Sequence, residues 1–261
     1  MVASNLDVEV EQFDRDGYLV VRALADASEV AALRALVDTM LDPLQGPVEF
    51  EADVGYPGAP KNRTDAGGLT PRRLLHAYSR NPLLRASACD PRVARRLEAL
   101  FGRAPYLSQC HHNCIMTKHP GFSSLTSWHQ DIRYWSFERA DLISTWLALG
   151  PERKANGALL VIPGSHRLEV DAQRYDGALF LRTDLPENQA LIAQARMIEL
   201  DAGDMLFFHC RLFHAAGCNE TNALKCSLVF SYHDEFNRAN PGTRSAVYPS
   251  VVVPVSGRVK E

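Results

Sequence analysis

The run Trp128-His129-Gln130-Asp131 sets an imidazole and a carboxylate two positions apart. In a strand, positions i and i+2 face the same way, so His129 and Asp131 can reach one metal ion from one side. A neutral imidazole nitrogen with a carboxylate oxygen suits Fe(II), Mn(II) or Zn(II). A second histidine completes a set of two histidines and one carboxylate, which leaves positions open on an octahedral ion. The tripeptide alone recurs by chance in many chains, so the third ligand decides. Two residues compete for it. His209 closes the apolar run Met205-Leu-Phe-Phe208, where a packed histidine donating to a backbone carbonyl is the plain expectation. His214 opens the small-residue stretch Ala215-Ala216-Gly217, read as a turn that lets backbone and cofactor approach closely. His214 is the better candidate.

Other chemistry-bearing residues point nowhere as sharp. Six cysteines show no C-x-x-C pair; Cys110 and Cys114 lie four apart in a segment that reads as a strand, where they share a face and pack. A cysteine-ligated zinc needs paired clusters, which are absent from the sequence. His111-His112 and His119 lack a completing ligand and read as ordinary polar strand residues. Lys plus Arg (28) nearly balances Asp plus Glu (31), so no broad positive field exists to hold nucleic acid or acidic lipid. No run of about 18 apolar residues predicts a spanning helix. The opening Met1-Val-Ala-Ser-Asn-Leu-Asp7 has neither the basic nor the apolar part of a secretory leader. With sparse cysteines, a reduced, cytoplasmic chain is expected, monomeric or a small homo-oligomer, acting on a small molecule.

The elements that must position these residues follow from periodicity. With 46% apolar and 23% charged residues over 261 positions, the chain can bury a full core rather than stay disordered. The opening reads as strand then helix: Phe13 to Arg22 is a turn followed by a short apolar run, and Asp26 to Met40 is a helix with Val30, Leu33, Leu36, Val37 and Met40 on one stripe, capped at Ser28. Residues 43–71, rich in Pro and Gly, form a long surface loop. Leu74 to Phe101 is helical in two pieces, broken near Asp90-Pro91. From Pro105 onward come short β runs: Tyr106–Lys118, Leu142–Leu149, Ala158–Ile162, Ala195–Leu200, Met205–Phe208 and Cys226–Phe236. Many short strands with Gly and Pro turns predict a barrel or sandwich with helices on one side. No repeat or linker interrupts the chain, so a single domain over residues 1–261 is expected.

Three strings in fixed order carry a resemblance. They are His129-Gln130-Asp131, then Asn156-Gly157 through Pro163-Gly164-Ser165-His166, then Gly203-Asp204 through Asn219. Together with the Phe13-Asp-Arg-Asp-Gly17-Tyr-Leu-Val-Val opening, the sequence resembles the phytanoyl-CoA dioxygenase (PhyH) family of iron- and 2-oxoglutarate-dependent oxygenases over roughly residues 10–235. The resemblance implies a mainly β fold with flanking helices, a double-stranded β-helix (jelly-roll, cupin-like), with iron held by His129, Asp131 and His214. Members usually carry an Arg eleven residues after the distal histidine to bind the remote carboxylate of 2-oxoglutarate; that position here is Lys225, a point charge where Arg grips bidentately. A frequent hydroxyl two residues after the distal histidine is replaced by Ala216. Lys118, with Gln109 or Asn113, is a further candidate for the co-substrate's carboxylates, and Trp146 stands where the family has a Trp near the co-substrate. Arg133, Tyr134 and Trp135 are placed to wall the substrate pocket, with residues 43–71 and 167–190 as its lids.

What the resemblance implies is oxidation of an unactivated C–H bond of a small metabolite, with O₂ consumed and 2-oxoglutarate converted to succinate and CO₂. Hydroxylation is the usual outcome, and a tailoring step in specialised biosynthesis the expected setting. Related halogenases replace the metal carboxylate with a small residue, so Asp131 argues against halogenation. The rival readings are a metal-dependent isomerase or hydrolase using the same triad without 2-oxoglutarate, and a ligand-binding module that has lost activity.

Overall fold

The computed structural model describes residues 5–255; Met1–Ser4, part of the segment read for a leader, lie outside them. Its first element is a helix that precedes the expected strand and helix and takes in Phe13–Asp16, read as a turn. Helix α1 (Asn5–Asp16) precedes β1 (Tyr18–Val21), which is followed by α2 (Ala27–Leu41). α1 escapes a periodicity reading because it is strongly polar and buries only Phe13. α2 is capped two residues earlier than expected, by Asp26, whose carboxylate accepts from the Ser28 and Glu29 amides, while Glu29 reaches back to the Asp26 amide.

The 43–71 stretch is irregular but holds β2 (Val48–Phe50) and runs into β3 (Pro71–Leu75). Three helices follow, α3 (Ala77–Arg80), α4 (Pro82–Ala88) and α5 (Pro91–Phe101). A break falls at Asp90-Pro91 as the sequence suggests, where Asp90 caps α5 and Pro91 occupies its first turn. But Leu74-Leu75 belong to β3 and Asn81-Pro82 makes a second break, giving three pieces rather than two. The β region comprises β4 (Pro105–Lys118), β5 (Thr126–His129), β6 (Leu142–Ala148), β7 (Leu159–Val161), then α6 (Pro186–Ile192), β8 (Arg196–Ile198), β9 (Met205–His209), β10 (His214–Ala216), β11 (Lys225–Asp234) and β12 (Val251–Val252).

Two antiparallel sheets result. The larger runs β1-β9-β6-β11-β4-β3-β2, with β12 beside β4, and the smaller runs β5-β10-β7-β8. They face each other as a double-stranded β-helix, the fold class expected. The alternation along each strand sorts residues onto two faces. On β11, Cys226, Leu228, Phe230 and Tyr232 pack outward against α2, α4 and α5, while Val229 joins Trp146, Leu159, Leu206 and Phe208 between the sheets. Every residue of β11 is buried, because a helical layer covers one face and the small sheet the other. The cavities of interest lie between the sheets.

Candidate metal centre

Strand parity separates the two competing histidines. On β9, Leu206 and Phe208 face the inter-sheet space, so His209 points the other way, beside Phe13 and His166 and 3.7 Å from Asp141. His214 instead begins β10, a strand where the sequence suggested a turn, and lies directly across from His129 of β5. Asp131 also differs from the expected geometry. It opens a 3₁₀ turn (Asp131–Tyr134) just past the end of β5, so the turn, not a shared strand face, swings its carboxylate between the two rings. The potential ligand atoms of His129, Asp131 and His214 all lie within 4.8 Å of one another.

The tautomers are fixed by the backbone. His129 Nδ1 donates to Ser127 O (2.8 Å) and His214 Nδ1 to Leu212 O (2.9 Å), which leaves both Nε2 lone pairs facing inward. Burial, with His129 beside it, lowers His214 to about 4, so its ring is neutral at neutral pH. Asp131 Oδ2 accepts from His112 Nε2 at 3.1 Å, while Oδ1 is buried with no hydrogen-bond partner, 3.7 Å from His129 Nε2 and 3.6 Å from His214 Nε2. Burial works to raise the Asp131 carboxyl, and His112 and His214 outweigh it, holding it well below the ordinary carboxylate range. Burial also works against charge on His112, and the Asp131 carboxylate overrides it, raising His112 to about 9. An orphaned carboxylate oxygen aimed between two unprotonated ring nitrogens is what a divalent metal ion satisfies. The set fits the metal that the sequence implied.

His112, read from the sequence as an ordinary polar strand residue, instead holds Asp131. The pairing of β4 with β11 jumps from Asn113↔Phe230 to Ser108↔Ser231, so residues 109–112 form a bulge. Bulges re-aim side chains, and within one the two-residue period carries no information. His111, the other half of the pair, stacks on Trp135 at 5.2 Å. The cysteines stay apart: Cys114 is in the inter-sheet core and Cys110 contacts Tyr248 O.

A narrow cleft opens from the triad between the sheets. Lys118, Trp146 and Ala216 line it, as do Arg72 and Arg73, which sequence reasoning did not single out. The Lys118 ammonium donates to Ser124 O (2.9 Å), and the Arg72 guanidinium reaches Ser124 Oγ (3.3 Å) and Thr126 Oγ1 (3.4 Å). Burial first, then Arg72 and Lys225, lower Lys118 to about 7. Gly157 holds this corner: a Cβ there would stand 2.5 Å from Gly217 O and 3.0 Å from Lys118 Cδ, and its φ of +77° favours glycine.

Lys225 sits differently from expectation. Its ammonium is paired with the buried Glu152 (2.8 Å), which also accepts from Trp146 Nε1 (2.8 Å) and Ser227 Oγ (2.6 Å). Lys225 packs 5.0 Å over the Trp146 ring and is not among the residues that line the cleft. Gln109 and Asn113 are not brought to the triad either. They line a separate cavity with His76 and Tyr248, where Gln109 donates to Pro249 O and Asn113 accepts from the Tyr78 amide.

Beyond the cleft lies a cavity of about 330 Å³. Arg133, Tyr134 and Trp135 wall it as expected, and each lid segment contributes, Tyr56 from residues 43–71 and Phe180 from residues 167–190. Arg73 and His112 line both spaces, so the cavity adjoins the metal site.

Comparison with known proteins agrees with this geometry. Ectoine dioxygenase of Stutzerimonas stutzeri (strain A1501) is 29% identical over 241 residues, covering 86% of this chain and 75% of that protein. The epimerase SnoN from nogalamycin biosynthesis, solved with Fe³⁺, α-ketoglutarate and nogalamycin RO, superposes with a TM-score of 0.73 at 23% identity, covering 90% of this chain and 86% of that one. EctD from S. alaskensis, solved with 2-oxoglutarate and 5-hydroxyectoine, gives a TM-score of 0.73 at 23% identity, covering 91% and 78%. Residues 13–226 match the family described as phytanoyl-CoA dioxygenase (PhyH), and with its triad assembled between two jelly-roll sheets the chain belongs to that family.

Proposed function

We infer that this Fe(II)- and 2-oxoglutarate-dependent dioxygenase oxidises an unactivated C–H bond of a small metabolite, most simply by hydroxylation, with His129, Asp131 and His214 as its metal ligands. The observation that carries the reading is the orphaned Asp131 Oδ1 between two Nε2 lone pairs. Iron bound there supplies O₂ activation coupled to conversion of 2-oxoglutarate to succinate and CO₂, one oxygen atom going to succinate and the other to the substrate.

The protein's own groups do the rest. Backbone carbonyls fix both ring tautomers, and His112 holds one carboxylate oxygen so that the other is presented. Lys118 and Arg72 give the cleft a positive excess suited to a dicarboxylate, and we assign the remote carboxylate of 2-oxoglutarate to them rather than to Lys225. On this assignment Lys225 is the counter-charge of Glu152, which orients the Trp146 wall. Tyr134 and Phe180, edge-on to His129 at 6.2 and 5.7 Å, screen the reacting centre from water.

No helix among the described residues is long and apolar enough to cross a membrane. Six free cysteines support a reduced, cytoplasmic setting, with the chain working as one oxygenase domain, alone or as a small homo-oligomer. The decisive experiment adds O₂ to anaerobic protein loaded with Fe(II), ascorbate and 2-oxoglutarate, and measures succinate against a panel of metabolites. Ectoine belongs in that panel, given the names of the relatives. Succinate release that rises with one compound, together with its oxidised product, supports the reading. Turnover of a compound without succinate would establish the metal-dependent isomerase or hydrolase instead, and binding without any turnover the inactive module.

A further inference from the structure

We propose that the 330 Å³ cavity is built for a planar organic acid, its carboxylate held by Arg133 and Arg244 and its ring system lying among Tyr56, Trp135 and Phe180. The inference names the substrate class of the oxygenase reading and rests on that reading for the word substrate.

Charge is the first argument. Three guanidinium groups line the cavity, those of Arg73, Arg133 and Arg244, against a single carboxylate, Glu49. Glu49 is already engaged by Arg73 (3.4 Å) and Arg72 (3.5 Å). Arg133 and Arg244 therefore face the cavity with no carboxylate in ion-pair range among the described residues. Arg133 is the more telling. Its guanidinium is held between aromatic faces, 3.8 Å from the Phe180 centroid and 4.6 Å from that of Tyr134. Its Nη1 is buried without a hydrogen-bond partner. A buried guanidinium nitrogen lacking a partner is costly unless a ligand supplies the acceptor, and the planar fork matches a carboxylate.

Shape is the second argument. Tyr56 and Phe180 meet edge to face at 5.5 Å, the Tyr56 hydroxyl bonds that of Tyr134 at 2.6 Å, and Trp135 is clamped by the His111 ring. These are flat aromatic walls suited to a planar ring system rather than a flexible chain. Orientation follows from the walls shared with the metal cleft. His112 and Arg73 stand between the two spaces, so an acid anchored on Arg133 and Arg244 directs its remaining atoms toward the triad.

The test uses full-length protein loaded anaerobically with Mn(II) and saturating 2-oxoglutarate, so that the cleft is filled. Isothermal titration compares 2-naphthoate, its neutral counterpart 2-naphthamide, 2-naphthyl phosphate, and ectoine as a carboxylate without an aromatic face. Expected is a preference of about tenfold or more for naphthoate over the amide. It should fall to within about twofold in the Arg133→Gln/Arg244→Gln double variant and persist in Arg103→Gln, an exposed control. Equal binding of acid and amide, or a preference that survives in the double variant, overturns the proposal. Tighter binding of the phosphate than of the acid overturns the carboxylate assignment, and tighter binding of ectoine overturns the planar part. Succinate release by the Fe(II) form of the same wild-type preparation separates the two levels. Succinate without an acid preference sinks this inference alone. An acid preference without succinate from any compound sinks the oxygenase reading while leaving the cavity's chemistry in place.

Discussion

At the scale of single residues, two histidines and two lysines divide the roles. Alanine at His129, Asp131 or His214 should each abolish Fe(II) or Mn(II) binding, because two protein ligands hold such ions poorly. His209→Ala should bind metal normally, since its ring faces away from the site. Metal stoichiometry after dialysis decides this, and iron lost by His209→Ala but kept by His214→Ala would overturn the ligand choice. The lysines separate in the same way. Lys225→Met leaves Glu152 charged in a buried site, which costs about 3–5 kcal/mol of stability. That lowers Tm by roughly 6–20 °C, with partial recovery in Lys225→Met/Glu152→Gln. Lys118→Met should instead raise KM for 2-oxoglutarate with Tm unchanged or improved. Lys118 is held near 7 by burial and its cationic neighbours, below a free lysine, so the unfolded chain binds more protons from about pH 7 to 10. The penalty of the buried charge is thus full below pH 7 and is relieved as pH rises through that window. Binding of a dicarboxylate must restore the proton, so affinity should fall above pH 7 by up to about tenfold per unit. A wild-type 2-oxoglutarate titration that is flat from pH 7 to 9, or a Lys225→Met variant that raises KM without losing stability, would return the role to Lys225.

At the scale of elements, legibility follows periodicity. The long β runs and α2 were readable because a two-residue or helical stripe of apolar side chains must face a core, and the same parity separates His209 from His214. What was not readable depends on irregular backbone. His112 sits in the β4 bulge, Asp131 in a 3₁₀ turn, and the Glu152–Lys225 pair joins residues 73 apart whose proximity no local pattern encodes. The lid segments are a middle case, flagged by Pro and Gly content but not by their contacts. Tyr56 and Tyr134 bridge the 43–71 segment to the turn that carries Asp131. Tyr56→Phe removes that hydrogen bond and keeps the ring, so KM for the organic substrate should rise a few-fold, the cost of about 0.5–1.5 kcal/mol, with KM for 2-oxoglutarate unchanged. Hydrogen exchange in residues 51–68 should speed up in the variant and slow on substrate binding. Exchange that ignores both would show that this segment does not act as a lid.

At the scale of the whole molecule, the site ties the two sheets together. His129 and His214 belong to the small sheet, whereas Asp131 is fastened through His112 to β4 of the large one. Metal on the triad therefore satisfies the buried Asp131 oxygen and adds a link between layers that also meet through packed side chains and the Arg72–Thr126 hydrogen bond. Binding only the folded form, it must stabilise by mass action, by about 2.7 kcal/mol at a hundredfold excess over Kd. For a chain of this size that is a rise in Tm of about 5–10 °C. Adding Mn(II) to chelator-treated protein should give that shift in the wild type and none in His214→Ala. His112→Leu makes the stronger test, because it keeps all three ligands and removes only the bond that fastens Asp131 to β4. If His112 positions Asp131, the variant should still bind Mn(II), with a weaker Kd and a Tm gain well below that of the wild type. A full gain in His112→Leu would mean that the turn alone presents Asp131, and that the bond from β4 contributes nothing to the metal site.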